Sequence, residues 1–221
     1  MASLIKTDFD SSTLERVDEI TSEVSYSEVK EAIAAIKREM VIDGNLVALC
    51  APQVGYNLRI FLVRAADRSI KVFLNPLIVS GEGLHLSRET NPSLPDKTYI
   101  IPRRDKIHLA YQRPKGQIES ETYIGAYAEV IQQMVEMLDG ILLSDYGLEI
   151  DKDFDKAKSS EKQEIIKMYL DSLKLESAEL NKEIEEDPQL KNINDTINFM
   201  KGMLIGDITP IKNEEPLKEG E

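Results

Sequence analysis

Val29, Ala32, Ile33, Ile36 and Met40 recur at intervals of three and four residues, which puts them on one face of an α-helix. Ser25 with Glu28 three positions later fits a capping box at its start, and Asp43-Gly44 fits its end. The period then shortens. Strand-like runs cover residues 59–64, 71–74, 106–112 and 117–122, the last two joined by the turn sequence Arg113-Pro114-Lys115-Gly116. From about residue 122 to 138 the apolar positions Ile124, Tyr127, Ala128, Ile131, Met134, Val135 and Leu138 return to helical spacing, stopped by Asp139-Gly140. These elements predict an antiparallel α+β arrangement.

The character changes after about Ile150. Ile166, Leu170, Leu173, Leu180 and Ile184 form one stripe with Ser177 in its gap, Glu186-Asp187-Pro188 breaks it, and Leu190, Ile193, Ile197, Met200 and Leu204 form a second. Two helices folded as an αα-hairpin are expected, each under three heptads and so packed within the chain rather than as a coiled coil. The predicted organisation is a domain over 1–150, an acidic helical extension over 151–206 and a disordered tail over 207–221, rich in Glu, Lys, Asn and Pro.

At 221 residues the chain can bury a full core. Its formal charge of −13 argues against a protein that tracks nucleic-acid phosphates. Residues 151–221 hold 11 lysines and 18 acids, so much of that excess sits in the tail. One cysteine excludes an intrachain disulfide and fits a reducing compartment. No apolar run approaches a bilayer-spanning length, and the first residues lack the apolar core of a signal peptide. The expectation is a cytoplasmic protein with no membrane and no nucleic-acid partner.

Three ordered segments resemble the peptide deformylases. The first is Leu46-Val47-Ala48-Leu49-Cys50-Ala51-Pro52-Gln53-Val54-Gly55, similar to G-x-G-L-A-A-P-Q-V-G without its two leading glycines. The second, Glu89-Thr90-Asn91-Pro92-Ser93-Leu94-Pro95, resembles E-G-C-L-S-x-P and is followed by Pro102-Arg103. The third, from Ile131 to Gly140, resembles I-Q-H-E-x-D-H-L-D-G in its flanks. Leu74-Asn75-Pro76 and the paired strands fit the same spacing, so the likeness spans about 1–150. It implies antiparallel β-sheets around a central helix.

The resemblance also implies a metal held by one Cys and two His, with a Glu passing protons. Histidines at i and i+4 share a helix face and so converge on one ion. Here Asn91 stands at the Cys position, Gln133 and Met137 at the His positions and Met134 at the Glu position. An amide and a thioether are poor ligands for zinc or iron, and a thioether cannot titrate. The family's oxyanion donors are the first segment's Gln, present as Gln53, and the backbone N–H after the Cys, where Pro92 has none. Losing such a donor costs on the order of 2.7–4 kcal/mol in the transition state. His85 is expected in a loop, His108 on a solvent-facing strand position, Cys50 as a buried structural thiol and Glu136 as a solvated or hydrogen-bonded helix carboxylate. Gln133, Met134 and Met137 are expected to pack a filled cleft.

From these residues a catalytically inactive, deformylase-like chain is expected, with no metal and no cofactor. Its role would be binding, assembly or structure in a larger complex, with protein partners docking on the C-terminal helices. Phage assembly and translation-associated binding are two conjectures for that role, since viruses of bacteria carry the family and its members act on nascent chains. The alternative is a peptide deformylase or other hydrolase with an unorthodox or interface-completed site, using Cys50 or Glu136. A tail that carries function on an inert platform is a third reading.

Overall fold

The computed structural model describes residues 5–7, 17, 20, 21 and 25–186. The second tail stripe, the end of the first, the break at Glu186-Asp187-Pro188 beyond Glu186, and the tail from Asp207 lie outside what is described. Helix α1, Tyr26–Ile42, begins where the pattern places it: Ser25 Oγ accepts the Glu28 N–H at 3.1 Å, and Asp43 ends the helix. Its face of Val29, Ala32, Ile36 and Met40 is buried.

The strands are β1 Ala48–Cys50, β2 Ile60–Arg64, β3 Ile70–Glu82, β4 His85–Asn91, β5 Leu94–Arg103, β6 Lys106–Gln112, β7 Ile118–Ile124 and β8 Leu148–Ile150. One sheet runs β1-β2-β3-β6-β7 and the other β4-β5-β8, with every pairing antiparallel. Helix α1 packs on β1 and β2, with Ile36, Met40, Leu49, Ile60 and Leu62 buried in a single cluster. A second cluster joins Phe61, Phe73 and Tyr111 to Ile131, Met134 and Leu138 of helix α2, Ala126–Leu138. Helices α3 Leu143–Tyr146, α4 Lys152–Lys156 and α5 Ser159–Glu186 follow.

Three expectations change. The helix predicted from residue 122 starts at Ala126, because Thr122, Tyr123 and Ile124 pair with His108, Ile107 and Lys106 in β7. The strand predicted over 71–74 runs on to Glu82, with register shifts that interrupt its alternation. β4 and β5 escaped prediction because β4 buries the polar Ser87, Glu89 and Asn91 while Arg88 and Thr90 are exposed, so its periodicity resembles an exposed strand. Burying that polar face requires partners on the element it meets, which is α2.

α2 is stopped by its sequence as predicted. The Ile141 N–H reaches the Glu136 carbonyl at 2.9 Å and the Gly140 N–H the Met137 carbonyl at 3.3 Å, a Schellman closure that needs the left-handed φ of +80° at Gly140. Arg59 holds this end, bonding Asp139 at 2.7 Å and the Leu138 carbonyl at 3.3 Å. Beyond it, α5 lays Tyr169 and Leu173 against the body, both buried, with Ile166 and Leu170 partly covered.

Candidate active site

The turn after β1 places Gln53. A 3-10 turn, Ala51–Val54, folds the side chain back so that Gln53 Oε1 accepts the Cys50 N–H at 2.9 Å and its thiol at 3.4 Å. Gln53 Nε2 then donates to Asn91 Oδ1 at 3.1 Å and Ser93 Oγ at 3.0 Å. All four hydrogen-bonding directions of that amide are used within the protein.

Asn91 closes β4, and Pro92-Ser93 form the two-residue connection to Leu94 of β5. Asn91 Oδ1 also accepts the Ser93 N–H at 2.8 Å, an Asx turn that fixes the hairpin. Asn91 Nδ2 donates to Gln133 Oε1 at 3.0 Å and Met137 Sδ at 3.1 Å. The structure thus brings together Gln53, Asn91, Gln133 and Met137, with Pro92 in the adjoining turn. Met134 is buried beside Met137 in the cluster that α2 shares with the sheet.

From α2 the network continues outward through charge. Gln133 Nε2 donates to Glu89 Oε2 at 2.8 Å. Arg103 grips Glu89 with two bonds of 2.6 and 2.9 Å, and reaches Glu136 Oε1 at 2.5 Å. The Tyr146 hydroxyl donates to the same Glu136 oxygen at 2.7 Å. Burial works against the Arg103 charge, yet Glu136, Tyr146 and Glu89 hold its guanidinium well above its ordinary value. For Glu136 burial dominates and pushes the carboxyl up, with Arg103 opposing.

The sequence pointed to the amide half of this assembly, Gln53, Asn91 and Gln133 with Met137, and missed most of its charged half. Glu136 is hydrogen-bonded, as one expectation had it, but at 6% exposure it is not solvated. Ser93, Glu89, Arg103 and Tyr146 went unassigned, although Glu89 and Arg103 stood inside or beside the second motif. Gln132, also missed, bonds the Arg104 backbone N–H at 2.9 Å and carbonyl at 3.1 Å, tying α2 to the end of β5. His85 is not in a loop: it opens β4 and lies 2.7 Å from Asp105 and 2.9 Å from Glu129, which also accepts from Ser87 at 2.9 Å. His108 is on its strand at a partly exposed position, between Ser120 and Thr122. Cys50 is fully buried, and burial pushes its thiol up to about 12. Burial thus opposes the thiolate form that a cysteine nucleophile needs.

A metal at Asn91, Gln133 and Met137 does not fit the donors as they stand. The two amides are spent on each other and on their neighbours, and the thioether accepts an amide hydrogen. Among the described residues no group of three or more His, Cys, Asp or Glu is placed to hold an ion.

Residues 5–153 match the family model described as Polypeptide deformylase. A curated peptide deformylase of Dictyoglomus thermophilum is 32% identical over 132 residues, 58% of this chain and 86% of the relative. One from Thermodesulfovibrio yellowstonii is 36% identical over 112 residues, covering 48% and 67%. Among solved structures, the peptide deformylase of Thermotoga maritima superposes with a TM-score of 0.57 at 26% identity, covering 64% of this chain and 94% of that one. A probable peptide deformylase from Synechococcus phage S-SSM7 gives 0.56 at 28%, covering 64% and 97%.

These likenesses correct the functional expectation. A catalytically inactive chain with a binding, assembly or structural role, including the phage-assembly conjecture, is overturned by a family and relatives that are enzymes; the phage protein is itself described as a probable deformylase. Donor identity at a few positions speaks to one way of activating water and not to the function of the whole scaffold. The pseudoenzyme and lost-metal-site descriptions fall with it.

Proposed function

Because the chain belongs to the polypeptide deformylase family, we propose that it is a peptide deformylase, hydrolysing the formyl group from the amino terminus of a peptide. The observation that carries this is the match over 5–153, which takes in the Gln53 turn, the β4–β5 hairpin and α2 together. The curated relatives named peptide deformylase support the same substrate class. Cytoplasmic placement belongs to the same proposal, since the resemblance puts the substrate on nascent chains.

The residues constrain how the reaction is run. Hydrolysis needs an activated water and donors for the oxygen that gains charge. Asn91, Gln133 and Met137 are committed to one another, and Pro92 brings no N–H. The proposal therefore takes the water-activating group from outside that trio, within the chain or across an interface between copies.

The test is formate release from an N-formyl-Met tripeptide by the full chain purified without chelator, with metal content measured on the same sample. Release above the buffer rate is expected, and a rate per chain that rises with protein concentration marks a site completed by a second copy. No release above buffer, with or without added zinc, iron or nickel, overturns the proposal.

A further inference from the structure

Two buried polar groups near Tyr146 keep unspent hydrogen-bonding capacity among the described residues: Glu136 Oε2, which has no donor, and the Tyr169 hydroxyl, whose O–H has no acceptor although the Leu148 backbone lies within reach of its oxygen. They come from different parts of the chain. Glu136 is on α2, one turn from Gln133 of the site network, while Tyr169 is on α5, beyond the residues that the family model matches. The phenol packs beside Tyr146, Gly147 and Leu148, lining one cavity with them, and Tyr146 itself bonds both Glu136 and Arg103. Burial raises the Tyr169 phenol, with Arg103 and Glu136 both within electrostatic reach of it.

A buried carboxylate oxygen and a buried hydroxyl each cost free energy when left unsatisfied, and one water between them satisfies both. A carboxylate with one oxygen on Arg103 and Tyr146 keeps acceptor capacity on the other, and a phenol supplies one O–H. We propose that the Tyr169 hydroxyl is linked to Glu136 Oε2 through one bridging buried water, making Tyr169 a positioning residue that ties α5 to the helix carrying Gln133. The linkage runs from Tyr169 to Glu136, Arg103, Glu89 and Gln133. The C-terminal helix is then part of the support of the site rather than an independent appendage, whatever reaction the site performs.

Tyr169→Phe removes the hydroxyl and keeps the ring. In the full chain it should lower the folding equilibrium constant roughly tenfold and shift the Arg103 guanidinium and Gln133 side-chain amide resonances in NMR spectra. Leu173→Ala, which cuts packing on the same helix and leaves the hydroxyl, should destabilise without moving those resonances. In a Glu136→Gln background, where the acceptor is no longer charged, the effect of Tyr169→Phe should shrink severalfold. Unchanged Arg103 and Gln133 resonances in Tyr169→Phe overturn the linkage, as does an equal loss of stability in both backgrounds. None of these readouts depends on formate release, so failure here and failure of the deformylase assignment are separate results.

Discussion

Asn91 donates its side-chain amide to Gln133 Oε1 at 3.0 Å, joining positions 42 residues apart in the chain. Each of the two amides is satisfied through the other, which makes the contact a structural joint between the β4–β5 hairpin and α2. Asn91→Ala would leave the Gln53 and Gln133 amides short of partners in a buried site, each at a cost of roughly 1–3 kcal/mol. A loss of about 3 kcal/mol is expected in urea unfolding at neutral pH. A loss below about 1 kcal/mol would mean that water or repacking satisfies both amides.

Arg103 is fully buried between Glu89 and Glu136. Arg103→Met keeps bulk but strands two carboxylates, and breaking a buried pair in this way costs about 3–5 kcal/mol. Unfolding by denaturant should show that loss, most severely at high pH, where the stranded acids are charged. Stability that is unchanged at high pH would show the cluster to be hydrated.

His85 and Glu129 give the fold a defined pH response. The hydrogen bond to Glu129 is the largest cause holding His85 above its ordinary 6.5, against its partial burial, with Asp105 adding to the rise. The His85 bond likewise leads in holding Glu129 below 4.5, helped by Ser87 and Arg103. A raised histidine contributes fully below 6.5 and loses that contribution as pH rises through its folded value. A depressed carboxylate contributes fully above 4.5 and loses it as pH falls through its own lower folded value. The pair should therefore stabilise most between 4.5 and 6.5. Urea midpoints across pH should decline more gently above that window in His85→Gln than in the parent chain; parallel declines would remove His85 as the cause.

Pro92 lies in the turn where the family presents a backbone N–H to the developing oxyanion. Pro92→Leu restores an N–H, and on the proposed deformylase function it should raise formate release on the order of 10²–10³-fold, the effect associated with one such donor. The gain should appear in kcat more than in KM. An unchanged kcat would place oxyanion stabilisation elsewhere in the site.

The sequence by itself determined the outline. The α1 stripe with its Ser25 cap, the paired strands β6 and β7, and the Asp139-Gly140 stop of α2 were legible because each depends on neighbours a few residues away. So was the family, from three ordered motifs, and with it the set of positions that the fold gathers. Tertiary structure decided what those positions do. β4 hides its polar face because α2 supplies matching amides and the Arg103 cluster supplies charge, and no local period records a partner some 40 residues distant. Gln133 and Met137 looked like damage to a motif, yet in the fold they complete hydrogen bonds with Asn91. Glu136 was expected as a solvated or hydrogen-bonded helix carboxylate, and it is buried and bonded because Arg103 and Tyr146 reach it. Which buried polar group finds its partner is a long-range question, and only the folded chain answers it.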